Sequence, residues 1–150
     1  MSATSPRPEL QARIQRVIDA PRDKVFATWT KREHVEKWWL PDGFSDPKIE
    51  IDMRVGGKYR YAMTPPGGER FCVKGKFLEI SAPMRLVYTW LWEGLPPEMT
   101  IDETQVTVEF QALGGKTRIT IEHTGFETAE MAAKHDEGWN SCLDRLVKGM

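Results

Sequence analysis

Residues 104–123, TQVTVEFQALGGKTRITIEH, decide the fold class of this chain. On each side of Gly114-Gly115, apolar and polar residues alternate, which is the period of a half-buried β-strand. A glycine pair between two such segments is typical of a hairpin turn. The stretch therefore predicts two antiparallel strands, Thr104–Leu113 and Lys116–His123.

The segment before this hairpin repeats the same pattern. Alternating stretches are separated by turn residues such as Gly56-Gly57 and Pro65-Pro66-Gly67-Gly68. Together with the hairpin they predict an antiparallel meander of six strands. The four additional strands are predicted at residues 48–55, 58–63, 71–80 and 85–93. Both faces of the fourth are apolar, so its pattern leaves open which face points inward.

The residues before the meander predict one more strand and two short helices. Residues 10–19 alternate, and Ala20-Pro21 ends that strand. Pro21 suits the first position of a helix, because its missing N–H would have no partner there. Thr30 followed by Glu33 has the spacing of a capping box, so a second short helix is expected to begin at that point.

The segment after the hairpin predicts a long helix. Thr128 is a suitable N-cap, and apolar residues then recur at steps of three and four, which makes one apolar stripe over about five turns. Such a stripe is buried against a sheet. We therefore predict an α+β fold in which a curved antiparallel sheet of about seven strands wraps around the C-terminal helix. The stripe comprises Ala132, His135, Trp139, Cys142, Leu143, Leu146 and Met150.

Composition restricts the partners of the protein. The chain has 150 residues, with 21 basic and 22 acidic side chains and a net charge of −1. It therefore offers no positive field for nucleic acid or for an anionic membrane. Nothing resembles a signal peptide or a membrane span, and two cysteines are too few for a disulfide framework. We expect a cytoplasmic protein, monomer or homodimer, with a flexible tail at 1–9 and one domain at 10–150.

Several short motifs follow one another along residues 10–150. They are Asp19-Ala20-Pro21 with Val25-Phe26, Trp38-Trp39 with Pro41 and Gly43, Gly56-Gly57-Lys58-Tyr59, Gly75 with Glu79-Ile80, Pro83 with Arg85-Leu86-Val87, Thr89-Trp90, and Gly138-Trp139. This series resembles the activator of heat-shock protein 90 ATPase homologue-like family, a branch of the START-like superfamily. The resemblance implies the helix-grip fold, with two short helices after the first strand.

The resemblance implies less about function, because one fold serves many functions. The superfamily includes carriers of lipids, sterols and plant hormones, and also aromatases and cyclases. The eukaryotic co-chaperones that named the family carry an additional N-terminal domain, which this chain is expected to lack. Three functions stay open. They are non-catalytic binding of a small apolar or amphipathic molecule, a protein-interaction module such as a chaperone regulator, and a cyclase or dehydratase with a histidine base.

The candidate ligand-binding residues are mainly aromatic, together with one methionine, two histidines and one cysteine. An aromatic-lined cleft with few polar groups is typical of small-molecule sites, although the same side chains also serve as ordinary packing. The loop Gly94–Asp102 and the Trp38-Trp39 segment are expected to gate the cleft. The candidates are Trp38, Trp39, Tyr61, Met63, Tyr88, Trp90, His123, Phe126, His135, Trp139 and Cys142.

No catalytic residue, metal or cofactor is assigned. His123 and His135 would be the candidate bases, since an imidazole in an apolar cavity has a tunable pKa, but structural roles are the alternative. Close metal-ligand spacing, a phosphate-binding glycine loop and a Ser-His-Asp grouping are all missing from the sequence. Cys142, in mid-helix, is expected to be a buried hydrophobe. Arg16 interrupts an apolar strand face and is expected to pair with an acid or a ligand carboxylate, unless it emerges at the sheet rim.

The adjacent pair Trp38-Trp39 lies in the second predicted short helix. Neighbouring residues on a helix point in different directions. We therefore expect one of the two tryptophans to lie at a pocket mouth or in a protein interface rather than fully in the core. With Leu40, the pair would be the nucleus of the exposed surface that an interaction module needs.

Overall fold

The computed structural model describes residues 10–40, 43–97 and 101–149. Neighbouring strands are all antiparallel, in the order β1-β7-β6-β5-β4-β3-β2. The predicted α+β helix-grip fold is confirmed, because this curled sheet holds the last helix. The elements are β1 (Ala12–Ile18), α1 (Arg22–Thr30), α2 (Arg32–Trp39), β2 (Ser45–Ile51), β3 (Lys58–Thr64), β4 (Phe71–Ser81), β5 (Arg85–Glu93), β6 (Thr104–Leu113), β7 (Lys116–Thr124) and α3 (Ala129–Lys148).

The β6–β7 hairpin forms as its sequence predicts. Val108 lies opposite Ile121, and Leu113 lies opposite Lys116 beside the glycine turn. On its other side β7 pairs with β1, where Ile14 faces Ile121. The inward row of β7 ends at His123, which is fully buried. The chain's first strand therefore lies beside its last strand, and β1 and β2 form the two edges of the sheet.

The turn between β2 and β3 is longer than predicted. β2 ends at Ile51 rather than Val55, and the N–H of Gly57 donates to the carbonyl of Arg54 at 2.8 Å. A Cβ on Gly57 would lie 2.1 Å from the backbone oxygen of Asp52, so only glycine fits there. The alternation through Val55 misled the prediction, because Val55 is 64% exposed in this turn.

The predicted capping box is wrong. Thr30 still belongs to α1, where its hydroxyl donates to the carbonyl of Phe26 at 2.8 Å. Lys31 is extended and is the N-cap of α2, without a side-chain cap bond. The break between the helices thus falls one residue later than the Thr30–Glu33 spacing predicts. Pro21 is the N-cap of α1 rather than its first helical residue.

The long helix α3 begins as predicted, since the Thr128 hydroxyl accepts from the backbone N–H of Met131 at 3.2 Å. The helix packs against β1 and α2. Arg16 of β1 pairs with Asp144 of α3 at 2.7 Å, as expected for a lone cation in an apolar row. Within the described residues, no helix is long and apolar enough to cross a bilayer.

Three expectations fall wholly or partly outside the described residues. They concern the tail at residues 1–9, the end of the apolar stripe at Met150, and part of the loop Gly94–Asp102. Of that loop, residues 94–97 and 101–102 are described.

Candidate ligand-binding site

A cavity of about 420 Å³ separates α3 from the inward face of β3, β4 and β5. A volume of this size falls within the range of small-molecule sites. Most of its wall is apolar, and four of its side chains are tryptophans. The wall consists of Trp39, Phe44, Met63, Phe71, Trp90, Trp92, Leu95, Met131, Lys134, His135, Gly138, Trp139, Ser141, Cys142 and Arg145.

Helix α3 supplies one side of the cavity through residues at helical spacing. His135, Gly138, Trp139, Cys142 and Arg145 follow one another at steps of three, one, three and three, so they share one face. Trp139 and Cys142 are buried, whereas Gly138 is exposed. The cavity therefore reaches from a buried floor to a rim that faces solvent.

Strand β5 supplies the opposite side. Trp90 is 2% exposed and joins Tyr88 in the main core, which resolves the face that the sequence left open. The rings of Trp90 and Trp92 are 5.4 Å apart and meet edge to face. Trp90 also contacts Trp139 of α3 at 5.2 Å. Aromatic pairs at such distances attract each other beyond simple burial, so these contacts stabilise the wall.

The Trp38-Trp39 pair differs from the prediction. Trp38 is 3% exposed and Trp39 is 6% exposed, so both belong to the core. They point differently, as expected, but each direction is covered, because Trp38 packs against Trp29 of α1 and Trp39 against Trp90 of β5. Trp39 lines the cavity. The pair is therefore no exposed nucleus for a protein interface.

His123 is a structural link behind the cavity wall. The indole N–H of Trp139 donates to its Nδ1 at 3.1 Å. An indole nitrogen is only a donor, so Nδ1 is unprotonated and Nε2 carries the hydrogen. That hydrogen is donated to the Thr104 hydroxyl, whose oxygen lies 2.7 Å from Nε2. Both ring nitrogens are thus occupied within the protein.

His135 repeats this arrangement at the cavity itself. Its Nε2 accepts from the indole N–H of Trp92 at 2.8 Å, and its Nδ1 lies 2.8 Å from the carbonyl of Met131. A carbonyl only accepts, so Nδ1 is the protonated nitrogen. The two imidazole rings lie 5.1 Å apart, and Phe126 packs against both.

Burial keeps both histidines neutral. Burial, assisted by the neighbouring His135, lowers the pKa of His123 well below its ordinary value. Burial also lowers the pKa of His135, although its bond to the Met131 carbonyl opposes this change. Neither ring has a free nitrogen, so each would have to release an indole before it could accept a proton from a substrate. This geometry is unfavourable for the histidine-base alternative.

Cys142 and Arg145 form the end of the cavity nearest α2. Burial raises the pKa of the Cys142 thiol to about 11, although Arg145 opposes that shift. The thiol is therefore protonated and a poor nucleophile. Arg145 donates from Nε to the Trp38 carbonyl at 2.9 Å. Its positive charge thus lies at the C-terminus of α2, where helix carbonyls are unpaired.

The structure separates the predicted site residues into two groups. Trp39, Met63, Trp90, His135, Trp139 and Cys142 lie in the cavity wall. The other five predicted residues are buried behind the wall or beside it and do not line it. They are Trp38, Tyr61, Tyr88, His123 and Phe126.

Sequence reasoning missed nine of the lining residues. Five of them, Met131, Lys134, Gly138, Ser141 and Arg145, could have been found, because they share the helical face of His135 and Cys142. Among the described residues, no three His, Cys, Asp or Glu side chains lie close enough together to hold a metal ion. The remaining missed residues are Phe44, Phe71, Trp92 and Leu95.

A curled antiparallel sheet closed over a long helix, with an aromatic cavity between them, defines a START-like helix-grip domain. The chain belongs to the family described as Activator of Hsp90 ATPase homolog 1-like protein, whose model matches residues 19–150. No curated protein matches the chain. The family assignment predicted from the motifs is confirmed.

Solved structures similar to this chain share the fold over nearly its whole length. One from Chromobacterium violaceum has 26% identity and a TM-score of 0.80, with 93% of this chain and 95% of that chain covered. One from Arthrobacter aurescens has 29% identity and a TM-score of 0.78, with 93% and 84% covered. The AHSA1 protein from Silicibacter pomeroyi, at 23% identity and a TM-score of 0.76 with 93% and 96% covered, is similar in fold.

Proposed function

We propose that this protein binds a small apolar or amphipathic molecule, without catalysis, in the cavity between α3 and the sheet. The observation that carries this proposal is the cavity of about 420 Å³, walled by Trp39, Trp90, Trp92 and Trp139. Aromatic walls of this kind favour ligands that expose apolar or aromatic surface to water when free.

Gly138 supports the proposal, because it keeps the cavity open at a cost to the helix. It lies in the middle of α3 and lines the cavity, and a Cβ built on it meets no atom within 4 Å. Glycine inside a helix is less stable than alanine by about 1 kcal/mol. Helix stability therefore does not explain a glycine here, whereas a side chain larger than that of alanine would occupy the space that we propose for a ligand.

The hydrogen bonds around the cavity favour binding over catalysis. The ring nitrogens of His135 are occupied by Trp92 and Met131, and the Cys142 thiol is protonated. The candidate base and the candidate nucleophile of the wall are thus unsuited to act on a ligand. A rigid, preorganised wall lowers the ordering cost of binding.

Native mass spectrometry of the protein purified from its own host tests the proposal. We expect the wild-type chain to carry a bound molecule that is released on denaturation and can then be identified. The variant Gly138→Leu, purified in parallel, should carry none, because its side chain enters the cavity. The variant Glu137→Leu, which changes the neighbouring exposed residue outside the cavity, is the matched control and should stay loaded.

Two results would contradict the proposal. One is a molecule that stays bound equally in the wild type and in Gly138→Leu, which would place it elsewhere on the protein. The other is an empty wild-type protein that also binds no apolar probe in calorimetric titrations. An empty protein that does bind such probes would support the proposal and indicate that the ligand exchanges during purification.

A further inference from the structure

The charged groups of the cavity wall are hydrogen-bond donors. Lys134 and Arg145 are cations and donate only. The indole N–H groups of Trp39 and Trp90 have no acceptor within the described part of the chain, but both nitrogens are buried and do not reach the cavity surface. The one unprotonated ring nitrogen in the wall, Nε2 of His135, already accepts a hydrogen bond. A ligand rich in acceptors would complement this wall.

The charge of the cavity is also one-sided. None of the lining residues is an aspartate or a glutamate. The Nζ of Lys134 lies 3.9 Å from Oε1 of Glu130, and the Lys134 side chain is 56% exposed. Arg145 is half-buried, and its hydrogen bonds go to neutral groups, the Trp38 and Trp39 carbonyls and the Cys142 thiol. The neighbouring acid, Asp144, is paired with Arg16 on another face.

The two cations bracket the cavity rather than forming one cluster. They are eleven residues apart on α3, which places them on the same face but separates their backbones by about 16 Å at 1.5 Å per residue. One small anion therefore meets only one of them closely. Arg145 is the better partner, because it is less exposed than Lys134 and its neighbours orient it without neutralising it.

We infer that the cavity selects an amphipathic carboxylate, with its apolar body among the tryptophans and its carboxylate at the Arg145 end. The inference rests on the binding function proposed above and adds the chemical class of the ligand. A carboxylate accepts hydrogen bonds without donating any, which matches the guanidinium and ammonium donors at the two ends of the cavity. Lys134 at the opposite end contributes a weaker, screened attraction.

Two probes of matched shape test the inference by calorimetric titration. They are 4-phenylbutanoate, which is an anion, and 4-phenylbutanamide, which is neutral. We expect the wild type to bind the carboxylate about tenfold more tightly than the amide, as for a charge-assisted hydrogen bond. Raising the salt concentration should weaken carboxylate binding more than amide binding.

Three variants locate the anion. Arg145→Gln keeps a donor for the α2 carbonyls but loses the charge, so it should remove most of the preference by weakening carboxylate binding, and it should change amide affinity by about threefold at most. Lys134→Gln should change the preference by about twofold at most. Lys148→Gln, which removes an α3 cation outside the cavity wall, is the control and should change neither affinity.

An amide affinity within about threefold of the wild-type value in Arg145→Gln shows that the cavity is intact, so a structural loss is distinguishable from a lost charge. Equal affinity of the wild type for the two probes would overturn the inference and leave the proposed binding function standing. A preference that survives in Arg145→Gln and disappears in Lys134→Gln would overturn the placement at Arg145. Failure of both probes to bind at millimolar concentration would count against the inference and the proposed function together.

Discussion

Replacing Gly138 should change stability and ligand binding in opposite directions. In Gly138→Ala the new methyl group meets no atom within 4 Å, so the substitution adds helix propensity without strain. The gain is about 1 kcal/mol in the free energy of unfolding. For a domain of this size, that raises the melting temperature by about 2–4 °C. The methyl group occupies little of the cavity, so binding of 4-phenylbutanamide should weaken only slightly.

Gly138→Leu should keep most of the stability gain, since leucine is also a good helix former. Its side chain, however, enters the space that a ligand would use. Crowding of a packed site typically costs about 1–3 kcal/mol, which corresponds to a loss of affinity of roughly fivefold to a hundredfold or more. Urea unfolding measures the stability, and calorimetric titration with the amide measures the affinity.

Glu137→Leu separates the two effects, because it places the same side chain one residue away and outside the cavity wall. It should bind the probe as the wild type does. Destabilisation by Gly138→Ala would show that the space beside Gly138 is filled in solution. Unchanged affinity in Gly138→Leu would refute the assignment of the ligand to this cavity.

Three more predictions follow from the hydrogen bonds around the cavity. The pKa values of His123 and His135 are lowered in the folded protein, so the unfolded chain binds more protons than the folded one below about pH 6.5. As the pH falls below that value, urea titrations should show the free energy of unfolding decreasing by at most about 1.4 kcal/mol per pH unit for each histidine. A free energy of unfolding that stays constant between about pH 7.5 and 5 would contradict this. The Cys142 thiol should resist a disulfide reagent at pH 8 in the native protein and react once urea unfolds it, whereas fast native labelling would show that it is accessible. Arg145→Ala should lower the free energy of unfolding by about 1–2 kcal/mol, through the lost bond to an α2 carbonyl. Asp144→Ala breaks an exposed ion pair and should cost less than about 1 kcal/mol, so the reverse order would overturn this reading of the two residues.

Strand and helix periodicity predicted most of this fold, because each element buries one face. The β6–β7 hairpin and α3 are the best examples. In the hairpin, apolar residues alternate with a period of two on both sides of a glycine turn. In α3, apolar residues recur with a period of 3.6 after the N-cap Thr128. The errors occur where local signals compete. Thr30 has the spacing of a cap, but its hydroxyl bonds back to Phe26 and α1 continues through it.

The candidate site was less predictable, because its shape depends on which aromatic side chains meet across the fold. Periodicity placed Trp139 and Cys142 on the inner face of α3, and both lie in the cavity wall. It could not show that Trp38 and Trp39 are both covered, because α1 covers one and β5 covers the other. Nor could it show that His123 serves Trp139, since that contact depends on the register of β7 against α3.

The tryptophans also give the protein an optical property. The chain has six, and their rings form one connected group with centroid separations of 4.7–6.4 Å. Indoles this close exchange excitation energy and couple their electronic transitions. The six rings therefore contribute to the tryptophan fluorescence and to the ultraviolet circular dichroism as one group. A molecule that enters beside Trp90 should therefore alter the fluorescence and circular dichroism of the whole group. Ligand binding can then be followed in the protein without an added label.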